Sequence, residues 1–527
     1  MINKVLIFCV FLAFFSCTKK ETAWNIDLEA PLLHDTLSLA NWMNDSSLTS
    51  SNGEIQVNLT RTLLDLGLSD LIQIPDTSIV QLFSPIFTLN NIPPGTTFVN
   101  AIEEHSFDLE DVQLKNIRVL DGRVKVKVLN PLGTKVLFKV QLPGVTKNGA
   151  VFEHNYSVDA GTIASPNVQE EWLDISDYQI DLRGQSGLEY NVLQTKLTLS
   201  TDPNGPQVSI SSSYDFKFEA SLESIKVDYA KGYFGSKIFA DTALFQLNFM
   251  NKILEGSLDL PETAMQINIE NGMKVPLRGQ LHYLKNTNQY GNVVQLTAPT
   301  IGPSVYVSPA TGSWSSLQSN GVQLDFDATN SNLESFLENL GANNEVAYEV
   351  QLNPWGNTSA GNDEVFPNSR LKVTASAQLP LKLGLNGLTL RDTFNIELSQ
   401  NQSSSHVQSG VVSLDVINGF PFSCDPVLYF MNENGQIIHS IIGSSQISSC
   451  EMAAIDPIDG LKKQPSHIEF LLDQATISDL KNIKKVIVEA RFDSPNVSTG
   501  LSEPKQVQSN AFLSFKLRMK LNTKMVL

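Results

Sequence analysis

Turn chemistry constrains this chain more than any other feature. Asn-Gly stands at Asn52, Asn148, Asn204, Asn271, Asn320, Asn386, Asn418 and Asn434, and Asp-Gly at Asp121 and Asp459. Such pairs tolerate the positive φ that a two-residue hairpin needs at both central positions. A chain punctuated this often has little room for long helices and is expected to fold as short antiparallel strands. The clearest expected hairpin joins Lys115–Leu120 to a return strand, Arg123–Val128, through Asp121-Gly122. In that return strand Val124, Val126 and Val128 alternate with Arg123, Lys125 and Lys127, the period of two that buries one face. Phe515, Leu517, Met519 and Leu521 alternate with Lys516, Arg518 and Lys520, and Val486, Val488, Ala490 and Phe492 share a face. Helices are expected only over Asn332–Leu340, capped by Ser331 with Glu334 as its capping-box partner, over Ser478–Ile483 and around Leu39–Met43.

Length and charge bound the rest. At about 100–200 residues per domain, 527 residues imply two to four domains. With 42% hydrophobic and 17% charged residues the chain buries too much for intrinsic disorder. A net charge of −18 excludes nucleic acid as a partner, because phosphate binding needs a concentrated basic surface.

The N-terminus carries an address. Lys4 precedes an unbroken apolar run of eleven residues, Val5–Phe15, which is too short to span a bilayer and suits a secretory signal. Ser16-Cys17 follows. A small residue directly before a cysteine at this place resembles the lipobox of bacterial lipoproteins, with Phe14 in the looser form found in Bacteroidota. The resemblance implies removal of residues 1–16, lipidation of Cys17 and a tether over 17–25. Several acyl chains at ~0.8 kcal/mol per buried CH₂ make such an anchor stable. Cys9 leaves with the signal, so Cys424 and Cys450 remain. In an oxidising envelope compartment they are expected to form a disulfide, stabilising by about 3 kcal/mol in the chain-entropy model.

A repeat runs through the body. Gly122–Asn130 aligns without a gap on Gly410–Asn418; Asn148-Gly149 answers Asn434-Gly435, and Asn191 and Asp202 answer Asn482 and Asp493. The expected fold class is mainly β, with tandem antiparallel β-sandwich modules around a middle β region and a few short helices. The divisions are an N-terminal β region over 26–106, repeat 1 over 107–205, a middle β region over 206–393, and repeat 2 with the C-terminal strand over 394–527. The run Gly122–Pro131 resembles the late-embryogenesis-abundant type 2 (WHy-like) sandwich. Trp24–Pro31, Gly232–Gly235, Leu379–Leu381 and Leu390–Thr393 are similar to segments of uncharacterised Bacteroidota lipoproteins, which implies an outer-membrane location and no particular activity.

No catalytic pattern emerges. His34, His105, His154, His282, His406, His439 and His467 are scattered singly, without the spacing of a metal site. Gly184–Gly187 lacks the spacing of a nucleophile elbow. Asp325, Asp327, Asn330 and Asn332 suggest a calcium loop, but an EF-hand requires Gly and Glu where Asn330 and Phe336 stand. No cofactor or metal is expected. Trp314 and Trp355 sit in polar, turn-like contexts where an exposed ring stacks on a sugar or anchors a protein partner. The basic strand faces at Arg123–Lys127 and Lys516–Lys520 are candidate contacts for anionic lipid or glycan. The expected protein is a non-catalytic outer-membrane lipoprotein, binding an envelope partner or scaffolding a complex on the periplasmic or the outer side. The alternatives are a glycan-binding surface lipoprotein and a lipid carrier with an apolar channel.

Overall fold

The computed structural model describes residues 23–38, 48–51, 54–246, 253–395, 407–458, 460–496, 499 and 501–526. Strands make up 61% of the fold and helices 5%, in several antiparallel sheets. Cys17 and the segment Leu39–Met43 lie outside the described residues.

One strand order occurs three times. In the first copy, one half runs Asn167–Asp174, Gln113–Asn130, Phe216–Tyr233, Thr77–Phe83. The other half runs Thr97–Ser106, Val192–Thr201, Val136–Lys147, Ala150–Val158, and Gln179–Asp181 pairs with both halves and joins them into one continuous sheet. The second copy repeats this as Asn320–Phe326, Ala264–Asn271, Leu371–Pro380, Glu54–Leu66, facing Ile238–Gln246, Asn343–Leu352 and Leu277–Thr287. The third is Gln464–Leu472, Val407–Asn418, Phe512–Val526, Ala23–Ser38, facing Lys382–Asn395, Lys485–Asp493, Ser423–Met431, Ile437–Ile442. Alternation fills each interior. Val124, Val126, Val128 and Phe138 are buried in the first copy, Ile267, Ile269, Leu277 and Val350 in the second, and Val412, Val416, Phe430 and Phe470 in the third.

The middle region is therefore a sandwich of the same kind as its neighbours. The strands Gly122–Asn130 and Gly410–Asn418, matched by sequence, do occupy equivalent places. The first copy also takes in Thr97–Ser106 and Phe216–Tyr233, outside 107–205. The N-terminal β region forms no body of its own. Its strands Ala23–Ser38, Glu54–Leu66 and Thr77–Phe83 lie on the third, second and first copies in turn, each extending the same edge. This arm closes an edge that would otherwise offer unpaired backbone to other chains.

Among the described residues few of the Asn-Gly pairs close hairpins; Asn52-Gly53 and Asp459 lie outside those residues. Asn148-Gly149, with φ of 52° and 80°, joins Val136–Lys147 to Ala150–Val158 as expected, and Asn434-Gly435 lies in the matching turn of the third copy. Asp121-Gly122 makes no turn, because Gln113–Asn130 is one continuous strand. Phe216–Tyr233 pairs along its whole length and absorbs the irregularity in bulges between Glu223 and Tyr229. A Cβ at Gly122 would lie 2.7 Å from Ile225 Cδ1, so a larger residue there requires the Ile225 side chain to move. The middle helix spans Leu333–Glu338, and its N-cap is Asn332 rather than Ser331. Asn332 does not cap with its side chain, since its Oδ1 accepts from Thr297 N at 2.6 Å. The last helix, Gln474–Asp479, is capped by Asp473, whose carboxylate accepts from Thr476 N at 2.7 Å.

Candidate functional site

A buried asparagine organises one end of every copy. Asn130 Nδ2 donates to the carbonyls of Thr134, Val158 and Asp159 at 2.8, 3.1 and 2.9 Å, and its Oδ1 accepts from Leu132 N at 2.9 Å. Asn271 binds Val275 O, Ser308 O and Met273 N in the same pattern, and Asn418 binds Phe422 O, Ser448 O and Phe420 N. Each side chain thus ties the loop after its own strand to a loop arriving from the facing sheet. Two of these asparagines belong to Asn-Gly pairs that the sequence presents as turns. The glycines serve close approach instead, since a Cβ at Gly272 would meet Arg370 O at 2.8 Å and one at Gly419 would meet Phe512 O at 3.0 Å.

In the second and third copies this end is covered by the copy before it. Asp363, Glu364 and Val365 pair with Ala230–Gly232 of the first copy, Lys115 Nζ donates to Ala360 O at 2.8 Å, and Tyr229 donates to Glu364 at 2.9 Å. Trp314 belongs to this junction. Its ring lies 5.0 Å from Tyr229 and 5.6 Å from Phe366, under the Arg118 guanidinium at 4.3 Å. Between the second and third copies, Leu381, Leu385, Phe422, Val507 and Ala511 form an apolar cluster with Val57 of the arm, and Leu340 packs against it.

The first copy has no preceding sandwich; the short sheet of Leu89–Ile92 and Val208–Ile210 lies at its equivalent end, with Ile92 and Ile210 buried, and two large apolar side chains nearby in the chain stay exposed. After the second copy's arm strand, Leu68, Leu71 and Ile72 are buried at the junction; after the first copy's, Ile86 is 95% and Phe87 68% exposed. The loop equivalent to Trp314's carries Ile163, also exposed. Sequence reasoning passed over this set, although Ser84-Pro85-Ile86-Phe87-Thr88 places two large apolar side chains after a turn-favouring proline.

A second candidate is an open groove of about 620 Å³ on the outer face of the third copy. Leu254 and Glu255 form one wall and Ile442–Ser445 the other, with Thr389, Arg391, Asp425, Tyr429, Glu489 and Arg491 on its floor. Arg391 Nε donates to Glu489 at 3.0 Å and Tyr429 to the same carboxylate at 3.0 Å. Burial and that bond hold the Tyr429 hydroxyl above its usual pKa. Arg491 has no ion pair among the described residues. Trp355, 59% exposed, packs edge-on to the exposed Tyr306 at 5.3 Å. Trp314 and Trp355 thus do not share a surface cluster, as one is a junction pin and the other half of an exposed ring pair.

The remaining sequence candidates resolve as follows. Cys424 and Cys450 are free, buried thiols, which corrects the expected disulfide. Cys424 is packed into the third copy's core, whereas Cys450 lies outside that cluster at the start of a 3-10 turn. Burial pushes both thiols up, Cys450 to about 11. The basic strand faces are largely engaged. Arg123 and Lys125 lie over the Trp172 ring, Lys125 pairs with Glu170 at 3.4 Å, and Arg518 binds Glu29 and Asp415. The Asp327 loop satisfies itself, since Asp327 accepts from Thr329 N at 2.7 Å and Asn330 from Asp327 N at 3.0 Å. Among the described residues no group of three or more His, Cys, Asp or Glu is placed to hold a metal, and no helix is long and apolar enough to cross a membrane. The second cavity, between the sheets of the second copy, measures about 10 Å³.

No family model matches the chain, and no curated protein matches it. Among solved structures, a protein of Parabacteroides distasonis assigned as secreted is similar at 11% identity, with a TM-score of 0.30, over 55% of this chain and 89% of that one. The empty top component of cowpea mosaic virus is similar at 8% identity, with a TM-score of 0.18, over 60% of this chain and 93% of that one. Likenesses this weak transfer nothing to the present chain.

Proposed function

We propose that this protein is a non-catalytic, lipid-anchored component of the outer membrane that holds a protein partner at the outer end of its first sandwich. The observation that carries the reading is the contrast between equivalent ends. The second and third copies bury theirs against a neighbour, while the first exposes Ile86, Phe87 and Ile163. Large apolar side chains left exposed at one end of a folded body suit an interaction site. A photoreactive phenylalanine analogue at Phe87 is expected to yield a discrete crosslinked product in cells, lost on Ile86→Asp. The same probe at exposed Leu120 is the control, and equal labelling at both positions contradicts the reading. The anchor rests on the Ser16-Cys17 segment; Cys17→Ala is expected to abolish fatty-acid labelling and move the protein to the soluble fraction.

A glycan-binding reading stands second, supported by the Trp355–Tyr306 ring pair and the polar groove around Arg391 and Arg491. Under it, Trp355→Ala lowers retention on polysaccharide while Trp314→Ala acts only through the junction. The lipid-carrier reading draws no support from the sandwich interiors, which Phe138, Phe216, Phe326 and Phe470 fill. The small cavity of the second copy has room for about one water, far less than an acyl chain needs.

A further inference from the structure

The arm fixes where the N-terminal segment leaves the folded body. Its first strand, Ala23–Ser38, runs antiparallel to Phe512–Val526, with Ser38 opposite Phe512 and Ala23 opposite Val526. The Phe512 end lies at the junction with the second copy, where Gly419 N donates to Phe512 O at 2.8 Å and Ala511 joins the apolar junction cluster. Ala23 therefore emerges at the opposite end of the third copy. There the turn through Asn434-Gly435 also lies, since Met431 pairs with Lys485, the first residue of its strand. The second copy meets the first at the end where Leu66 pairs with Leu371 and meets the third at the end where Val57 pairs with Leu379, so the copies follow one another in a row. The third copy's far end terminates that row, as the Ile86 end of the first copy does at the other extreme.

We infer that the third copy's free end sits on the bilayer and that the row of sandwiches projects outward from it. This rests on the lipid-anchor reading. Only the five residues Thr18–Thr22 separate Cys17 from the start of the strand at Ala23, and the six Cα steps between Cys17 and Ala23 reach about 20 Å fully extended. A twelve-residue strand such as Val136–Lys147 is about 40 Å long, so the tether is shorter than a single sandwich. It holds the third copy's free end at the headgroups and keeps the first copy's end away from them. Trp24, 60% exposed, stands opposite Met525 beside that end, an amphipathic ring of the kind that settles at a membrane interface.

The test uses the full acylated chain in vesicles of phosphatidylethanolamine and phosphatidylglycerol that contain a rhodamine lipid. A donor dye is placed at Asn434→Cys or at Ile163→Cys, with wild-type protein as the labelling blank for the buried thiols. Strong energy transfer from position 434 and background transfer from position 163 are expected. A flexible twenty-residue insertion after Lys20 is expected to shrink the difference. Equal transfer from both sites in protein whose intact mass shows the lipid overturns the orientation. Absence of the lipid mass overturns the anchor reading, and the orientation with it.

Discussion

At the residue scale, three asparagines and one aspartate carry most of what is specific. Asn130 is fully buried and makes four hydrogen bonds to backbone groups of two loops. Removing it leaves buried donors and acceptors unpaired at ~1 kcal/mol or more each, so Asn130→Ala is expected to destabilise the first copy by about 3 kcal/mol. Asn→Asp at this position is no rescue, because a carboxylate cannot donate to the three carbonyls. Chemical denaturation followed by near-UV dichroism measures both. Asp363, at the junction of the first two copies, is 2% exposed and has a buried oxygen without a partner. Burial holds its carboxyl above the ordinary 3.8. A raised carboxyl pKa means that ionisation costs more in the folded state, so stability falls as pH rises through that pKa. Asp363→Asn is accordingly expected to gain thermal stability over wild type at pH 8 and lose most of that advantage at pH 4. The buried thiols are expected to react with Ellman's reagent only after unfolding, and a disulfide-shifted band on a non-reducing gel would contradict their free state.

The arm dominates the element scale. Ala23–Ser38 covers the edge strand Phe512–Val526 over nearly its full length. A chain starting at residue 39 leaves that strand with unpaired backbone and alternating apolar residues, conditions that favour edge-to-edge association. Light scattering is expected to report dimers or larger species for the truncated chain and a monomer for the chain that keeps the strand. This is also where sequence reading reached its limit. The paired strands Gly122–Asn130 and Gly410–Asn418 were legible because both follow a glycine and alternate without interruption. The equivalent Ala264–Asn271 was not, because its buried face is Met265, Ile267 and Ile269 with no glycine before it, and its second hairpin is closed by Asn288–Asn292 rather than by Asn-Gly. Asp121-Gly122 misled because a dipeptide reports only which φ values are tolerated. Whether the strand turns depends on partners far away in sequence, here Phe216–Tyr233. The pairing of residue 23 with residue 526 likewise has no local signal at all. For the candidate site, the Trp314 context was legible as a loop but its role was not, since that depends on Tyr229 and Arg118 from the neighbouring copy.

At the scale of the molecule, three sandwiches stand in a row, strapped together by one arm that visits them in reverse order. The strap explains why the N-terminal region forms no body of its own and why the two ends of the row differ. One end receives the chain from Cys17; the other is the counterpart of a docking face used twice inside the same molecule, with no further sandwich against it. Small-angle scattering on the body lacking its lipid tests this most directly. Three sandwiches of about 40 Å end to end give a radius of gyration of about 35 Å. A single compact body of this length gives about 24 Å. A value near 35 Å with the cross-section of one sandwich is the expected result, and a value near 24 Å would contradict the row.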